Sequence, residues 1–240
     1  MKVLGLSGSL RRDSYNARLL RAAANELPPG VELEVWDGLR ELPPYDEDLD
    51  VDPAPFAVRA LREAIAGADA LLISTPEYNA SIPGGLKNAV DWASRPRAEA
   101  ALAGKPALVV GASTGLFGAV WAQAELRKVL KTAGARPLED ELPVGQAMEA
   151  FAEDGSLREP ELRAALSDAV GALVREVVAT GSWSAPAESP YGIPVAALEL
   201  SARLDRTEFG MTWNAPLPKG GNILDEQVTL TVHLELQGQA

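Results

Sequence analysis

Short apolar runs that alternate with helix-length amphipathic segments constrain the fold of this chain more than any other feature of its sequence. The segments from Ala68 to Ser74 and from Lys105 to Gly111 are almost continuously apolar, which indicates strands that are covered on both faces. A segment with helical spacing of apolar residues follows each of them. Repeated units of a strand and a helix imply right-handed crossovers, and they predict an α/β fold with a doubly wound parallel sheet.

Strand and helix segments of this kind are predicted up to about residue 180. The strands are Lys2 to Leu6, Val31 to Trp36, the two apolar runs and Arg136 to Leu138. The helices are Tyr15 to Leu27, Pro55 to Ala66, Gly85 to Trp92, Ala119 to Ala133 and Glu159 to Ala179. Residues 1–180 are therefore expected to form one domain around a five-stranded sheet.

The sequence pattern changes after Thr180. Residues 181–194 are rich in Pro, Ser, Gly and Ala, which predicts a linker. Residues 195–240 contain two segments of alternating apolar and polar residues, around Leu200 and around Val232, which predict a two-stranded β-arm. Because two lone strands are marginal in water, we expect the arm to act in assembly by pairing with another subunit.

Composition and charge exclude several classes of partner. The formal net charge is −12, whereas nucleic acids and anionic membranes attract clustered Lys and Arg. The chain has no cysteine and one histidine, so we expect neither a metal site nor a cysteine nucleophile. No apolar run approaches the roughly 20 residues that span a membrane, and the N-terminal apolar stretch is too short for a secretory signal. A cytoplasmic protein without nucleic-acid partners is expected.

The loop after the first predicted strand has the character of a phosphate-binding loop. A loop that leads from a strand into a helix offers unpaired backbone N–H groups and the positive end of the helix dipole. Ser9, Ser14 and Asn16 add side-chain donors, and Arg11 can contact two phosphate oxygens at once. In the alternative interpretation the loop only caps the helix, with Ser14 or Asp13 as the N-cap and the arginines solvated.

Two further loops follow the third and fourth predicted strands. Residues 75–84 carry two prolines that fix the backbone, and fixed amides suit the polar edge of a flavin. Residues 111–118 are small, which allows close approach to a planar ring, and Thr114 and the Gly115 amide can hydrogen-bond flavin O2 and N1. Each loop alone is equally typical of an ordinary turn. Ligands of open parallel sheets bind at the carboxyl ends of the strands, where all three loops are expected to lie.

Three motifs together resemble those of the NADPH-dependent FMN reductase family. They are G-S-L-R-x-x-S-x-N after the first strand, S-T-P-E-Y-N-x-S-I-P-G-x-L-K-N-A-x-D-W after the third, and G-A-S-T-G after the fourth. The resemblance extends from Met1 to about Val178. It implies a flavodoxin-like fold that binds FMN, takes electrons from NADPH or NADH, and reduces a small-molecule acceptor such as a quinone, an azo dye or free flavin. It also implies a homodimer or homotetramer.

The resemblance assigns site residues to the three loops and no catalytic side chain. On the phosphate side it implies Ser9, Arg11, Ser14 and Asn16. Along the isoalloxazine ring it implies Pro76, Glu77, Tyr78 and Asn79, and on the pyrimidine side Ser113, Thr114 and Gly115.

A second hypothesis is a flavodoxin-type electron carrier, or an FMN-binding protein with little turnover. The acidic surface suits a carrier. Arg11 argues against it, because the phosphate loops of carrier flavodoxins are usually uncharged.

The C-terminal segment resembles the end of a different family. From about Val195 to Leu236 it is similar to the last part of the YceI-like, lipocalin-like barrels. Since only the last part of such a barrel is present, the resemblance implies no lipid binding here.

Overall fold

The chain divides into two compact units, Met1–Val174 and Arg175–Ala240. The computed structural model describes residues 1–178, 180–183, 187–188, 194–205 and 227–237. Within these ranges, no helix combines the length and the apolar character that a membrane span requires.

The first unit is built on a five-stranded parallel sheet with the order β2-β1-β3-β4-β5. The strands are β1 Lys2–Ser7, β2 Glu32–Trp36, β3 Ala70–Thr75, β4 Pro106–Ala112 and β5 Arg136–Val144. Every residue of β3 and β4 is buried, as their continuous apolar sequences predict. The predicted doubly wound sheet is confirmed.

Five helices connect the strands of this sheet or follow them. They are α1 Tyr15–Asn25, α2 Phe56–Ala66, α3 Gly84–Ala93, α4 Val120–Thr132 and α5 Pro160–Val178. The apolar faces of the helices form the core with the sheet, and Trp92 on α3 is fully buried. Its indole Nε1 donates to the Pro43 carbonyl at 2.8 Å, so even this large polar ring has a partner.

Strand β5 is longer than the sequence predicts. The residues directly after Leu138 are Glu139, Asp140 and Glu141, which have low strand propensity. The predicted strand therefore ends at Leu138. In the structure β5 continues to Val144, because pairing with β4 resumes after a register shift and extends from Val109–Glu141 to Ala112–Val144. As an edge strand, β5 can expose its acidic residues.

Within its described ranges, the second unit contains four strands, whereas the sequence predicted two. They are β6 Thr180–Trp183, β7 Ala187–Glu188, β8 Pro194–Asp205 and β9 Gln227–Gln237. The two predicted strands correspond to β8 and β9, which pair antiparallel along their lengths. β6 and β7 lie in the segment 181–194 predicted as a linker or at its edge, and both pair with β8. Strands of four and two residues are too short for a periodic signal, and no local pattern shows that they pair with β8.

The carboxyl edge of the parallel sheet is where the chain changes direction. From β1 the chain crosses to β2 on one side, and from β3 it continues to β4 on the other, so the loops after β1 and β3 diverge there.

The loop after β4 is packed closely against β5. A Cβ atom on Gly118, which has φ +57°, would lie 2.3 Å from the Pro143 carbonyl carbon.

This contact predicts a stability difference between two glycines of similar backbone conformation. Gly104 has φ +69° and nothing within 4 Å of a Cβ, so Gly104→Ala should cost only the left-handed conformation, about 1–2 kcal/mol. Gly118→Ala should cost a further 1–3 kcal/mol or so, because it also overpacks the loop against β5. Urea unfolding followed by far-UV circular dichroism measures both changes. Equal losses in the two variants would contradict the close packing at Gly118.

Candidate functional site

The three loops singled out in the sequence converge on a cleft of about 230 Å³ at the carboxyl edge of the sheet. Eight of the predicted site residues line it: Ser9, Arg11, Asn16, Pro76, Glu77, Tyr78, Ser113 and Thr114. Tyr15 and Ala112 complete the lining. The other three predicted residues lie beside it, as the start of a helix (Ser14), the tip of a turn (Asn79) and the residue after Thr114 (Gly115).

The loop after β1 presents the N-terminus of α1 to the cleft. Ser14 is the N-cap, as in the alternative interpretation of the sequence, and its Oγ accepts from the Ala17 N–H at 3.2 Å. Among the described residues, the N–H groups of Tyr15 and Asn16 have no protein acceptor. A capped helix and an anion site are therefore compatible here, because the Ser14 hydroxyl proton and these N–H groups stay available.

The guanidinium of Arg11 is held at the rim of the cleft by a stack of side chains. Its Nη2 donates to the Asp13 carbonyl at 2.6 Å, and its Cζ lies 4.8 Å from the centre of the Tyr15 ring. Tyr15 in turn stacks on Phe151, with ring centres 6.3 Å apart. The Arg40 Nη2 donates to the Leu10 carbonyl at 2.7 Å and fixes the same loop.

The buried amide of Asn16 joins three elements under the cleft. Its Nδ2 donates to the Ala112 carbonyl at 3.0 Å, and its Oδ1 accepts from the Ala112 N–H at 3.0 Å. The same Oδ1 accepts from the Ser74 Oγ at 2.8 Å. Asn16 therefore ties α1 to the carboxyl ends of β3 and β4, a role beyond the phosphate contact predicted for it. One Nδ2 hydrogen is left for a ligand.

The loop after β3 forms a two-residue hairpin at the mouth of the cleft. Tyr78 and Ser81 exchange backbone hydrogen bonds of 3.0 and 3.1 Å. Asn79 and Ala80 between them have φ of 54° and 59°, which is the signature of a type I′ turn. The turn places Tyr78 against the cleft and Asn79 at the exposed tip.

Glu77 caps a helix that belongs to a different part of the chain. The N-cap residue of α4, Ala119, has φ 62° and no side chain that could cap the helix. Glu77 Oε2 instead accepts from the N–H groups of Trp121 and Ala122, both at 3.1 Å. A carboxylate at this position also interacts favourably with the helix dipole. The loop after β3 and the start of α4 are thereby held together.

The loop after β4 leaves two amides exposed beside the cleft. Thr114 and Gly115 are exposed, and among the described residues their N–H groups have no protein acceptor. Their positions are set by a fourth loop that the sequence analysis missed, after β5. The Gln146 N–H donates to the Gly115 carbonyl at 2.9 Å, and the Ala147 N–H donates to the Ser113 carbonyl at 3.0 Å. Gly145, the first residue of this loop, is the one sequence signal for it, because a Cβ atom there would lie 2.2 Å from the Leu116 carbonyl oxygen.

Tyr15, Arg40 and Phe151 are the side chains near the site that sequence reasoning missed. Tyr15 was noted only as the first residue of a helix. Arg40 and Phe151 reach the loop after β1 only through the tertiary fold, so no local pattern indicates them.

The donors at this edge suit a phosphate group joined to a planar ring with polar atoms on one side. Backbone N–H groups, hydroxyls and Arg11 gather at the start of α1, and the exposed residues Thr114 and Gly115 lie at or beside the same cleft. Cavities of about 450 and 520 Å³ lie elsewhere on the first unit, and no predicted site residue lines them. The fold and the cleft define a mononucleotide-binding protein of the doubly wound α/β class.

Comparisons with known proteins identify the family. The chain belongs to the NADPH-dependent FMN reductase family, whose model matches residues 1–149. An NAD(P)H-dependent FMN reductase of Pseudomonas aeruginosa is 45% identical over 174 residues, which cover 72% of this chain and 93% of that protein. A quinone reductase of Escherichia coli K12 is 41% identical over 131 residues, 54% of this chain and 69% of that protein.

A solved structure supports the same conclusion. The flavoenzyme NAD(P)H:(acceptor) oxidoreductase FerB from Paracoccus denitrificans superposes with a TM-score of 0.66 at 37% identity, over 73% of this chain and 96% of FerB. The flavodoxin-like fold is thus confirmed, as are the predicted family, its FMN cofactor and its NAD(P)H electron donor. The individual site residues and the YceI-like resemblance of the C-terminal segment stay predictions.

The hydrogen bonds of Asn16 predict a large loss of stability when its amide is removed. Asn16→Ala would leave both backbone groups of Ala112 and the Ser74 hydroxyl without their partner, and each buried unsatisfied group costs roughly 1–3 kcal/mol. With three such groups, we expect a total loss of at least about 3 kcal/mol in the free energy of unfolding. Asn25→Ala, at the exposed end of α1, is the matched control and should change little. Similar urea midpoints for the two variants would refute the bridging role.

Proposed function

We propose that the chain is an FMN-dependent oxidoreductase that passes electrons from NADPH or NADH to a small-molecule acceptor, a quinone, an azo compound or free flavin. The observation that carries the proposal is the convergence of three loops from β1, β3 and β4 on one cleft. Each loop contributes polar groups suited to a different part of FMN. The family match and the quinone reductases among the relatives support the same activity.

The α1 side of the cleft would hold the FMN phosphate. Ser9 and the hydroxyl of Ser14 would donate to its oxygens together with the first N–H groups of the helix. Arg11 would add a charged hydrogen bond, since one Nη2 hydrogen is used by Asp13 and the remaining donors of the guanidinium are left. The remaining Nδ2 hydrogen of Asn16 would add a donor from the buried side of the cleft. The positive end of the helix dipole favours the dianion in the same place.

The opposite side of the cleft would hold the ring. Pro76, Glu77, Tyr78 and Asn79 would border it along one edge, and Ser113, Thr114 and Gly115 along the pyrimidine edge. FMN supplies the two-electron redox chemistry when bound. The chain's part is to orient the ring and to direct preorganised N–H groups of Thr114 and Gly115 at the edge where negative charge develops. Glu77 is the carboxylate in the cleft and is engaged by α4, so we assign no catalytic side chain.

Arg11→Ala tests the phosphate side of the site. The variant should bind FMN more weakly by about 1.5–3 kcal/mol, the range for a hydrogen bond to a charged group. Its affinity for riboflavin, which lacks the phosphate, should not change. Arg21→Ala on α1 removes an exposed arginine away from the cleft and serves as the control. Fluorescence titration measures the affinities of the wild type and both variants for FMN and for riboflavin, and an unaltered FMN affinity in Arg11→Ala would remove Arg11 from the site.

Turnover distinguishes a reductase from an electron carrier that only exchanges electrons with protein partners. Under anaerobic conditions NADPH should bleach the visible absorption of the FMN-loaded protein, and a quinone should restore it. Because donor and acceptor would occupy the same place in turn, steady-state kinetics should be ping-pong, with parallel double-reciprocal lines. Absence of bleaching by either NADPH or NADH would favour the carrier. Intersecting double-reciprocal lines would mean that donor and acceptor bind at the same time, which would contradict a shared binding place.

Assembly and location complete the proposal. We propose a homodimer or homotetramer in the cytoplasm, with residues 1–180 as the reductase domain and the C-terminal arm in contacts between copies. The register of β8 and β9 supports a role for the arm, because apolar residues are paired with apolar residues, such as Leu198 with Leu234 and Leu200 with Val232. Residues paired across strands share a face of a sheet, so the register groups the apolar positions of the two strands together.

A further inference from the structure

Five large apolar side chains are exposed around the candidate FMN cleft. They are Tyr78, Leu116, Phe117, Trp121 and Met148, with 53, 70, 59, 51 and 72% of their surface accessible. We call this group the apolar rim. Exposed apolar residues are ordinary when scattered, but a group gathered at one site indicates a surface that binds something.

The apolar rim is continuous with the cleft through short connections. Tyr78 itself lines the cleft, and the backbone of Trp121 is bonded to Glu77, which also lines it. Leu116 and Phe117 come directly after the exposed amide of Gly115. Met148 follows Ala147, whose N–H donates to Ser113 at 3.0 Å. The rim is therefore built from the same loops that position the cofactor, with the fourth loop added.

Two aromatic rings give the rim a defined shape. Phe117 and Trp121 meet edge to face, with ring centres 5.2 Å apart and an angle of 65° between their planes. Their geometry offers two walls, against which a second flat ring can pack by offset or edge-to-face contact.

The charge of this region selects among possible ligands. Leu116, Phe117 and Trp121 lie between Pro106 and Ala124, a stretch without a charged residue, and the charged neighbours of Tyr78 and Met148 are two carboxylates, Glu77, which is engaged by α4, and Glu149. A charged ligand would find no partner on this stretch, whereas a neutral aromatic molecule would lose little by leaving water. Another exposed aromatic residue, Phe56, follows the acidic segment 46–52 and offers a different environment.

We propose that the apolar rim is the platform for the electron acceptor, and that it selects neutral fused-ring quinones over single-ring quinones. The inference rests on the proposed function and deepens it, since it assigns a class of acceptor to the apolar rim. Four rim residues lie outside the motifs, and the fifth, Tyr78, links them to the cleft. Compared with a single-ring quinone, a fused-ring quinone has additional apolar area, and contact with the rim would remove that area from water.

Binding without turnover tests the platform. The oxidised, FMN-loaded full chain is titrated with 1,4-naphthoquinone and with 1,4-benzoquinone in the absence of NADPH, and calorimetry gives both dissociation constants. The wild-type protein should bind naphthoquinone more tightly. Phe117→Ser and Trp121→Gln should each weaken naphthoquinone binding roughly 3- to 10-fold, as expected for loss of one aromatic contact, and should change benzoquinone binding less. Unchanged naphthoquinone binding in both variants, or equal affinity of the wild type for both quinones, would overturn the proposal.

Two controls distinguish a quinone platform from nonspecific aromatic binding and from a contact between copies of the chain. Phe56→Ser removes an aromatic side chain that is 78% exposed on α2, and it should leave both dissociation constants as they are. Sedimentation measures the mass of each rim variant: a loss of mass together with a loss of quinone binding would make the rim a contact between copies and would overturn the platform. Failure of the proposed function is distinct, because it would appear as a wild-type protein that NADPH and NADH do not bleach.

Discussion

The buried side-chain amide of Asn16 is the interaction on which the arrangement of the carboxyl edge depends. An open parallel sheet leaves the ends of its strands connected only through their loops, and a ligand site there needs those ends at fixed distances. Asn16 comes from the first turn of α1 and bonds Ala112 at the end of β4 and Ser74 near the end of β3. A side chain in the first turn of α1 thus sets the spacing of the two strands beside it.

Glu77 performs the corresponding task on the other side of the cleft. Its carboxylate takes the place of the missing N-cap side chain of α4, so the loop after β3 and the start of α4 are held together. Charged hydrogen bonds of this kind are strong enough to fix the position of a short loop that has little hydrophobic core beneath it. The fold therefore couples the cleft to the apolar rim, although different residues form them.

The sequence predicted the doubly wound parallel sheet and singled out the three loops that converge on the cleft, because both depend on local patterns that this chain carries clearly. The continuous apolar runs of β3 and β4 and the motif around Pro76 are of that kind. The extension of β5 to Val144 was missed because pairing with β4, and not strand propensity, maintains it. Arg40, Phe151 and the loop after β5 were missed because they reach the site across the fold. Asn16 was predicted as a ligand contact, and its bridging bonds could be known only once Ala112 was placed.

The hairpin tip formed by Asn79 and Ala80 has a consequence for how such an enzyme can diversify. Its hydrogen bonds close locally between Tyr78 and Ser81, and no strand of the sheet depends on the two residues between them. Lengthening this tip would therefore extend the wall of the cleft while the buried amide of Asn16 and the cap on α4 stayed in place. New substrate ranges could arise by insertions at this single point, with the cofactor site inherited unchanged.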